Sequence, residues 1–308
     1  MIEAVEFPSE GALLRGRFYR PERLPPFPAV IMTHGTTATI TMALDHYAEV
    51  FCHSGLAVLL YDHRNFGMSG GELRQQINPW IQARGYRDAM NYLLTRDDVR
   101  ANRIAVWGDS YSGMIALVIG ALEPRVAAVA VQCPTCGVEK PKIEPSDEHF
   151  QTMQGVFADG DVRGTPETTV GPMPVVSFDQ VGTPSLLKPI QAFRWFIDYG
   201  GRHGSLWENC VTRVVPPTPV PFSAYLAAPY IKVPTFMMVG RNDEMVHCNP
   251  EVMRATYELM RCPKQWVDIE GGHFGLLYYP SEIFAKASAQ QSAFLVGALS
   301  GEAYGRGP

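Results

Sequence analysis

The stretch from Arg103 to Gly113, RIAVWGDSYSG, decides the fold of this chain. Its short apolar run ends in small residues, and a helical pattern of apolar residues begins at Met114. This order predicts a strand, a very tight turn and a helix, with one side chain presented at the turn. Small residues are needed around that side chain because the strand and helix backbones nearly touch there. The stretch is therefore typical of a nucleophile elbow.

Ser110 is the candidate nucleophile in this turn. Gly108 lies two residues before it and Ser112 two residues after it, so both positions carry small side chains. The neighbouring choice, Asp109, would place Trp107 where a small residue is required. Ser112 stands where the usual pattern has a second glycine, and a serine is still small enough for the turn.

A serine hydroxyl becomes a nucleophile at neutral pH only with a histidine to take its proton and a carboxylate to orient that histidine. Asp243 lies in the loop that directly follows a predicted strand over 235–239, and His273 lies in the loop after the next predicted strand. The order serine, acid, histidine at successive strand ends predicts a triad of Ser110, Asp243 and His273. Glu244 is the alternative acid, disfavoured because a side chain one residue later tends to point elsewhere.

The negative oxygen that forms during attack by Ser110 needs hydrogen-bond donors already in place. One predicted donor is the backbone N–H of Tyr111, at the start of the elbow helix. The second is expected from the loop after the predicted strand 29–32, where Gly35 lets the chain approach closely and Thr36 presents its backbone N–H.

Strands and helices alternate through most of the chain, and nearly every strand is apolar throughout. This pattern predicts an α/β fold with a mostly parallel sheet covered by helices on both faces. The rhythm breaks over 137–231, which is rich in proline and in aromatic residues outside strand-like runs. We interpret this stretch as a cap inserted into a core formed by 1–136 and 232–308, with helical pieces near 145–158 and 186–200.

The aromatic side chains of the cap are the candidate lining of a substrate pocket. Trp195, Phe196 and Trp207 are predicted to contact the substrate. Pockets for small molecules are lined mainly by apolar and aromatic groups. A partly hydrophobic acyl or aryl ester is the corresponding expectation.

Composition excludes several classes of function. The formal net charge of −5 offers no basic surface for nucleic acid, and no apolar run approaches the about 20 residues of a membrane span. The amino terminus lacks the pattern of a signal peptide, so the six scattered cysteines are expected to be reduced thiols in the cytoplasm. Neither Cys133 with Cys136 nor the eight histidines have the context of a metal site, and no cofactor is expected.

The chain resembles the α/β-hydrolase superfamily over nearly its whole length. The residues that carry the resemblance are His34-Gly35, Asp62 to Ser69, Gly108 to Gly113, Gly240 to Asp243 and Gly272-His273. The likeness is greatest to the dienelactone-hydrolase-like members and to the X-prolyl-peptidase and cocaine-esterase-like members, whose elbows often carry Ser-Tyr. Dienelactone hydrolases themselves use a cysteine where Ser110 stands, so their activity is not implied.

These observations predict a serine hydrolase that acts on a carboxylic ester or thioester through an acyl-enzyme. The resemblance leaves an acyl or polyketide transferase open as an alternative, because the same site serves such relatives. An exopeptidase is a second alternative, with Glu144, Asp147 and Glu148 as candidate anchors for a substrate's amino group. A binding protein on the same scaffold would have no need for all three triad groups. The predicted partner is a small ester or acyl compound, and a homodimer is the expected assembly.

Overall fold

A computed structural model of the chain describes residues 1–159 and 168–300. An eight-stranded sheet runs through its centre. Its strands are β1 (Ile2–Ser9), β2 (Ala12–Tyr19), β3 (Phe27–Thr33), β4 (Ala57–Tyr61), β6 (Val99–Asp109), β7 (Ala128–Gln132), β10 (Thr235–Gly240) and β11 (Lys264–Ile269). They lie side by side in the order β1-β2-β4-β3-β6-β7-β10-β11. The strands from β4 to β11 in this order pair in parallel, and the opening hairpin β1-β2 is antiparallel and joins β4 antiparallel.

The inner strands are buried on both faces because helices cover both sides of the sheet. Every residue of β3, β4, β7 and β10 is buried, as expected for parallel strands built from continuous apolar runs. The covering helices are α1 (Leu44–His53), α2 (Pro79–Leu93), α3 (Ser110–Leu122), α7 (Pro250–Leu259) and α8 (Glu282–Ser300). The mostly parallel sheet of an α/β fold is confirmed.

Between β7 and β10 the chain leaves the main sheet. The helices in this part are α4 (Asp147–Asp159), α5 (Ile190–Gly200) and the short α6 (Ala224–Ala227), followed by a 3₁₀ turn at Ala228–Tyr230. Helices were predicted near 145–158 and 186–200, and α5 begins later than predicted because Pro189 precedes its first residue. The division into a cap over 137–231 and a core stays a prediction.

A second, three-stranded sheet was not predicted from the sequence. It consists of β5 (Gln76–Ile77), β9 (Val211–Val215) and β8 (Thr168–Met173), with β9 in the centre. β5 pairs with β9 in parallel and β8 pairs with it in antiparallel orientation. This small sheet therefore joins the loop after β4 to the inserted part of the chain.

Among the residues that the structure describes, no helix combines the length and the apolar character needed to cross a bilayer.

Candidate active site

Ser110 lies at the turn between β6 and α3, with a backbone φ of +55°. A residue other than glycine rarely adopts this left-handed conformation, and such strain is typical of functional positions. The turn is tight enough that a Cβ on Gly108 would overlap the carbonyl group of Ser112. The Ser112 hydroxyl stabilises the turn by accepting a hydrogen bond from the Asp109 N–H (2.9 Å) and lying 3.0 Å from the Thr33 carbonyl oxygen.

Asp243 and His273 form a buried pair at the ends of β10 and β11. The His273 Nδ1 lies 2.9 Å from Asp243 Oδ2, and each side chain is only 3% exposed. The other carboxylate oxygen of Asp243 accepts a hydrogen bond from the Met245 N–H at 2.9 Å, which fixes the carboxylate. With Nδ1–H donating to Asp243, Nε2 is the nitrogen of His273 that can accept a proton.

The electrostatics of this pair suit a proton acceptor. Burial is the largest single effect and lowers the pKa of His273, but the Asp243, Asp109 and Glu244 carboxylates together raise that pKa to about 9. A group that is stabilised in its protonated form is a stronger base when neutral. The pair can therefore take a proton from a neighbouring hydroxyl and hold the resulting imidazolium.

Glu244, the alternative acid for the triad, contacts the main chain of His273 and not its ring. Its Oε2 accepts a hydrogen bond from the backbone N–H of His273 at 2.8 Å. The imidazole bonds to Asp243 through its ring, whereas Glu244 holds the main chain that carries the ring. The two consecutive acids therefore fix His273 at two separate points, which the residue types alone did not indicate.

A buried carboxylate directly before Ser110 was also missed. Asp109 Oδ1 accepts from Gln132 Nε2 (2.8 Å), Gln132 Oε1 accepts from Gln291 Nε2 (2.8 Å), and Gln291 Oε1 accepts from Trp107 Nε1 (2.5 Å). Burial raises the pKa of Asp109 to about 6, although His273 and Gln132 favour its charged form. This chain of hydrogen bonds crosses the sheet from the elbow to α8. The only sequence signal for it is the polar Gln132 at the end of an apolar strand.

The two predicted oxyanion donors lie on the same cavity as Ser110. Thr36 and Tyr111 both line it, and neither backbone N–H has an acceptor among residues 1–159 and 168–300. Gly35 brings the first loop close, since a Cβ there would lie 3.1 Å from the Ser110 Cβ. His34 shapes this loop, with Nδ1 2.9 Å from the Gly35 carbonyl oxygen.

Two buried thiols surround the Asp243–His273 pair. Cys133 Sγ accepts a hydrogen bond from the Gly240 N–H at 3.3 Å, and Cys248 Sγ lies 3.6 Å from His273 Nδ1. Burial raises the pKa of both thiols, which keeps them protonated. Cys133, Asp243 and His273 each offer one ligand atom within 4.8 Å of the others, so these three residues could hold a metal ion.

The cavity that contains Ser110 has a volume of about 690 Å³. His273 and Asp109 line it, together with Trp195 and Phe196 from α5. We call this space the Ser110 cavity. Its volume suits a medium-sized ligand. Of the three aromatic residues predicted to contact the substrate, the structure brings Trp195 and Phe196 to the cavity.

Trp207 is not among the residues that line the Ser110 cavity. Its ring packs against Phe196, with the ring centroids 5.4 Å apart, and it fills the space beside Gly200. Trp207 therefore supports the wall from behind. The aromatic composition of the cap predicted an apolar wall. It could not distinguish the side chains that line the cavity from those that pack behind them.

Known proteins resemble this chain in part of its sequence and in its fold. The family model for serine aminopeptidase S33 matches residues 25–163. Quorum-quenching protein AidA of Acinetobacter baumannii is 35% identical over 130 residues, which cover 42% of this chain and 43% of AidA. Thiohydrolase apmlB of Arthrinium phaeospermum is 38% identical over 135 residues, covering 44% of this chain and 43% of apmlB.

A third relative shares its name with a solved structure. Polyketide transferase grgF of Penicillium sp. is 34% identical over 131 residues, 42% of this chain and 44% of the relative. The crystal structure of alpha/beta hydrolase GrgF from Penicillium sp. sh18 has a TM-score of 0.71 at 23% identity, covering 97% of this chain and 99% of that one. The sequence matches to the three relatives each span less than half of the relative's length.

The chain has the fold of the α/β hydrolases. The parallel sheet and the structural likeness over almost the whole chain agree on this fold, and the family model matches less than half of the chain. The finer resemblance to dienelactone-hydrolase-like and cocaine-esterase-like members stays a prediction.

Proposed function

We propose that this protein is a serine hydrolase that cleaves a carboxylic ester or thioester through an acyl-enzyme. The observation that carries the proposal is the buried pair of His273 and Asp243, 2.9 Å apart, on the same cavity as a serine in a strained conformation. A structural histidine has no need of a buried carboxylate partner and a nearby strained serine. Activation of a hydroxyl needs all three.

In the proposed mechanism, Ser110 Oγ attacks the carbonyl carbon while His273 Nε2 takes its proton. Asp243 stabilises the imidazolium that forms. The negative carbonyl oxygen is held by the backbone N–H groups of Thr36 and Tyr111. His273 then gives the proton to the leaving alcohol or thiol, which leaves an acyl group on Ser110. Water attacks this ester in a second round of the same proton transfers, releasing the acid.

The walls of the Ser110 cavity support an acyl chain as the bound group. Trp195, Phe196 and Leu187 contribute apolar surface, and the volume of about 690 Å³ suits a chain of medium length. The relative apmlB is, by its name, a thiohydrolase. An ester or thioester with a partly hydrophobic acyl group is therefore the proposed substrate class.

The exopeptidase alternative has no support from the predicted acidic anchors. Glu144 and Asp147 accept hydrogen bonds from Tyr225 and Tyr230 and line a second, separate cavity. Within the described part of the chain, they do not reach the lining of the Ser110 cavity. A substrate's amino group would find no anchor from them near Ser110.

Acyl transfer is the second candidate function. It uses the same acyl-enzyme, and an alcohol or amine takes the place of water in the second step. The observation that favours it is the apolar lining of the Ser110 cavity, which disfavours water beside the ester. The name of the relative grgF points in the same direction.

Mass spectrometry of the protein with a panel of thioesters and aryl esters tests the proposal. We expect an acyl adduct on the wild type and release of free acid, with neither in Ser110→Ala. Added alcohol and amine acceptors separate the two candidates, since a transferase forms the new ester or amide in preference to the acid. Hydrolysis that persists in Ser110→Ala would overturn the assignment of the nucleophile.

Two broader features belong to the same proposal. All six cysteines are free thiols, which supports the expected reducing, cytoplasmic location. The homodimer remains a prediction, and size-exclusion chromatography with light scattering would test it.

A further inference from the structure

Arg213 is a charged residue in the wall of the Ser110 cavity. It lies in the central strand β9 of the small sheet and is partly buried between the buried residues Val211 and Val214. Its main chain pairs within the small sheet, but its side chain forms no hydrogen bond or ion pair with any residue in 1–159 or 168–300. Bringing a cation into a largely apolar wall costs free energy unless an anion compensates it. Within the described part of the chain, no anion therefore compensates the Arg213 guanidinium.

The described groups that face Arg213 do not supply a compensating anion. Burial raises the pKa of Tyr111 and lowers that of His247, and the positive charge of Arg213 lowers both. Two basic side chains, Arg213 and His247, thus act on each other electrostatically at one wall. Of the acids on the described lining, Asp109 is engaged by Gln132 beside Ser110, and the exposed Glu139 forms no ion pair with Arg213.

We propose that Arg213 binds an oxyanion of the substrate, either a carboxylate or a phosphate. This oxyanion is part of the substrate but lies at a distance from the scissile carbonyl. This inference rests on the proposed function and names its substrate class as anionic esters or thioesters. A guanidinium presents paired N–H donors that match either oxyanion. The anion comes from one of two ends of the substrate, a carboxylate at the far end of the acyl chain or a phosphate on the thiol leaving group.

Two matched pairs of thioesters distinguish these sources. The first pair is adipoyl-N-acetylcysteamine and its uncharged ω-amide, which differ only in the charge at the end of the acyl chain. The second pair is hexanoyl-4′-phosphopantetheine and hexanoyl-pantetheine, which differ only in the phosphate of the leaving group. The readout is the ratio of kcat/KM within each pair, so a general loss of activity cancels.

We expect one of the two ratios to favour the anionic member by about tenfold to hundredfold, the range of a charge-assisted hydrogen bond. Arg213→Met keeps the apolar stem but removes the charge, and it should bring that ratio close to one. Arg213→Lys should retain part of the preference. The control is Arg194→Met, which removes an exposed charge from α5 outside the cavity lining and should leave the ratio unchanged.

A binding measurement makes the inference independent of turnover. Adipate and inorganic phosphate are titrated into Ser110→Ala and into Ser110→Ala combined with Arg213→Met. We expect the first variant to bind one of the anions and the second to bind it at least about tenfold more weakly. Ratios near one in both pairs, or equal anion binding by the two variants, would overturn the anion site. If the protein cleaves no thioester but still binds an anion in a way that depends on Arg213, only the proposed function is overturned.

Discussion

Asp243→Asn is the substitution whose cost follows most directly from the geometry. The carboxylate helps to raise the pKa of His273 from 6.5 to about 9 in spite of burial, which corresponds to about 3 kcal/mol of stabilisation of the imidazolium. In the proposed mechanism the imidazolium forms as His273 takes the proton of Ser110, so losing this stabilisation should lower kcat by about 10²-fold. An amide can also select the wrong tautomer of His273, which extends the expected loss to about 10⁴-fold.

The assay is steady-state hydrolysis of an aryl ester, with Glu244→Gln as the matched control. The control removes the neighbouring charge but keeps an oxygen that can accept from the His273 N–H, so we expect a loss of about fivefold or less. Circular dichroism and melting curves check that both variants are folded. If Asp243→Asn keeps more than a tenth of wild-type kcat, or if Glu244→Gln loses as much as Asp243→Asn, the reasoning is wrong.

Three further outcomes are expected. The kcat/KM of the wild type should rise with pH up to the His273 pKa of about 9, because only the neutral imidazole accepts a proton; a plateau reached by pH 7 would contradict this. The raised pKa of Asp109 stabilises the folded state at low pH, and this contribution is lost as the pH rises through about 6. Asp109→Asn does not titrate, so its free energy of unfolding, relative to that of the wild type, should increase by about 3 kcal/mol from pH 3 to pH 8. Urea unfolding at the two pH values measures this difference. Gly108→Ala should lower the free energy of unfolding by about 3 kcal/mol or more, because the added Cβ overlaps Ser112. Its control, Gly155→Ala, meets nothing within 4 Å and should be neutral or stabilising, and equal melting temperatures for the two would refute the tight turn.

The sequence is informative wherever a continuous apolar strand ends in a polar loop. Such strands must lie inside a covered parallel sheet, so their ends fall at one edge. For this reason Ser110, Asp243 and His273 could be predicted as neighbours from their order in the chain. The structure places Asp243 and His273 in contact and brings Ser110 to the same cavity as His273.

Other features depend on contacts between segments that are far apart in the chain. Asp109 meets Gln132 and, through it, Gln291, although 159 residues separate the two glutamines. No local pattern indicates that these three polar groups share one buried network. The same holds for Glu244, whose bond to the His273 N–H depends on how two loops lie side by side.

The small sheet escaped prediction for a different reason. β5 has only two residues, too few to show an alternating pattern. β9 ends at Val215, directly before the proline-rich run that begins at Pro216, so the whole stretch reads as an extended strap. The position of Arg213 in the cavity wall depends on β9, so it could not be predicted from the sequence.

Intact-mass analysis with a fluorophosphonate tests the central claim, that Ser110 is an activated nucleophile. The reagent phosphonylates a serine only where a neighbouring base accepts its proton. We predict a single adduct on the wild type and none on Ser110→Ala, with peptide mapping to the elbow. No adduct on the folded wild type, or an adduct that persists in Ser110→Ala, would contradict the account and favour a binding protein on this scaffold.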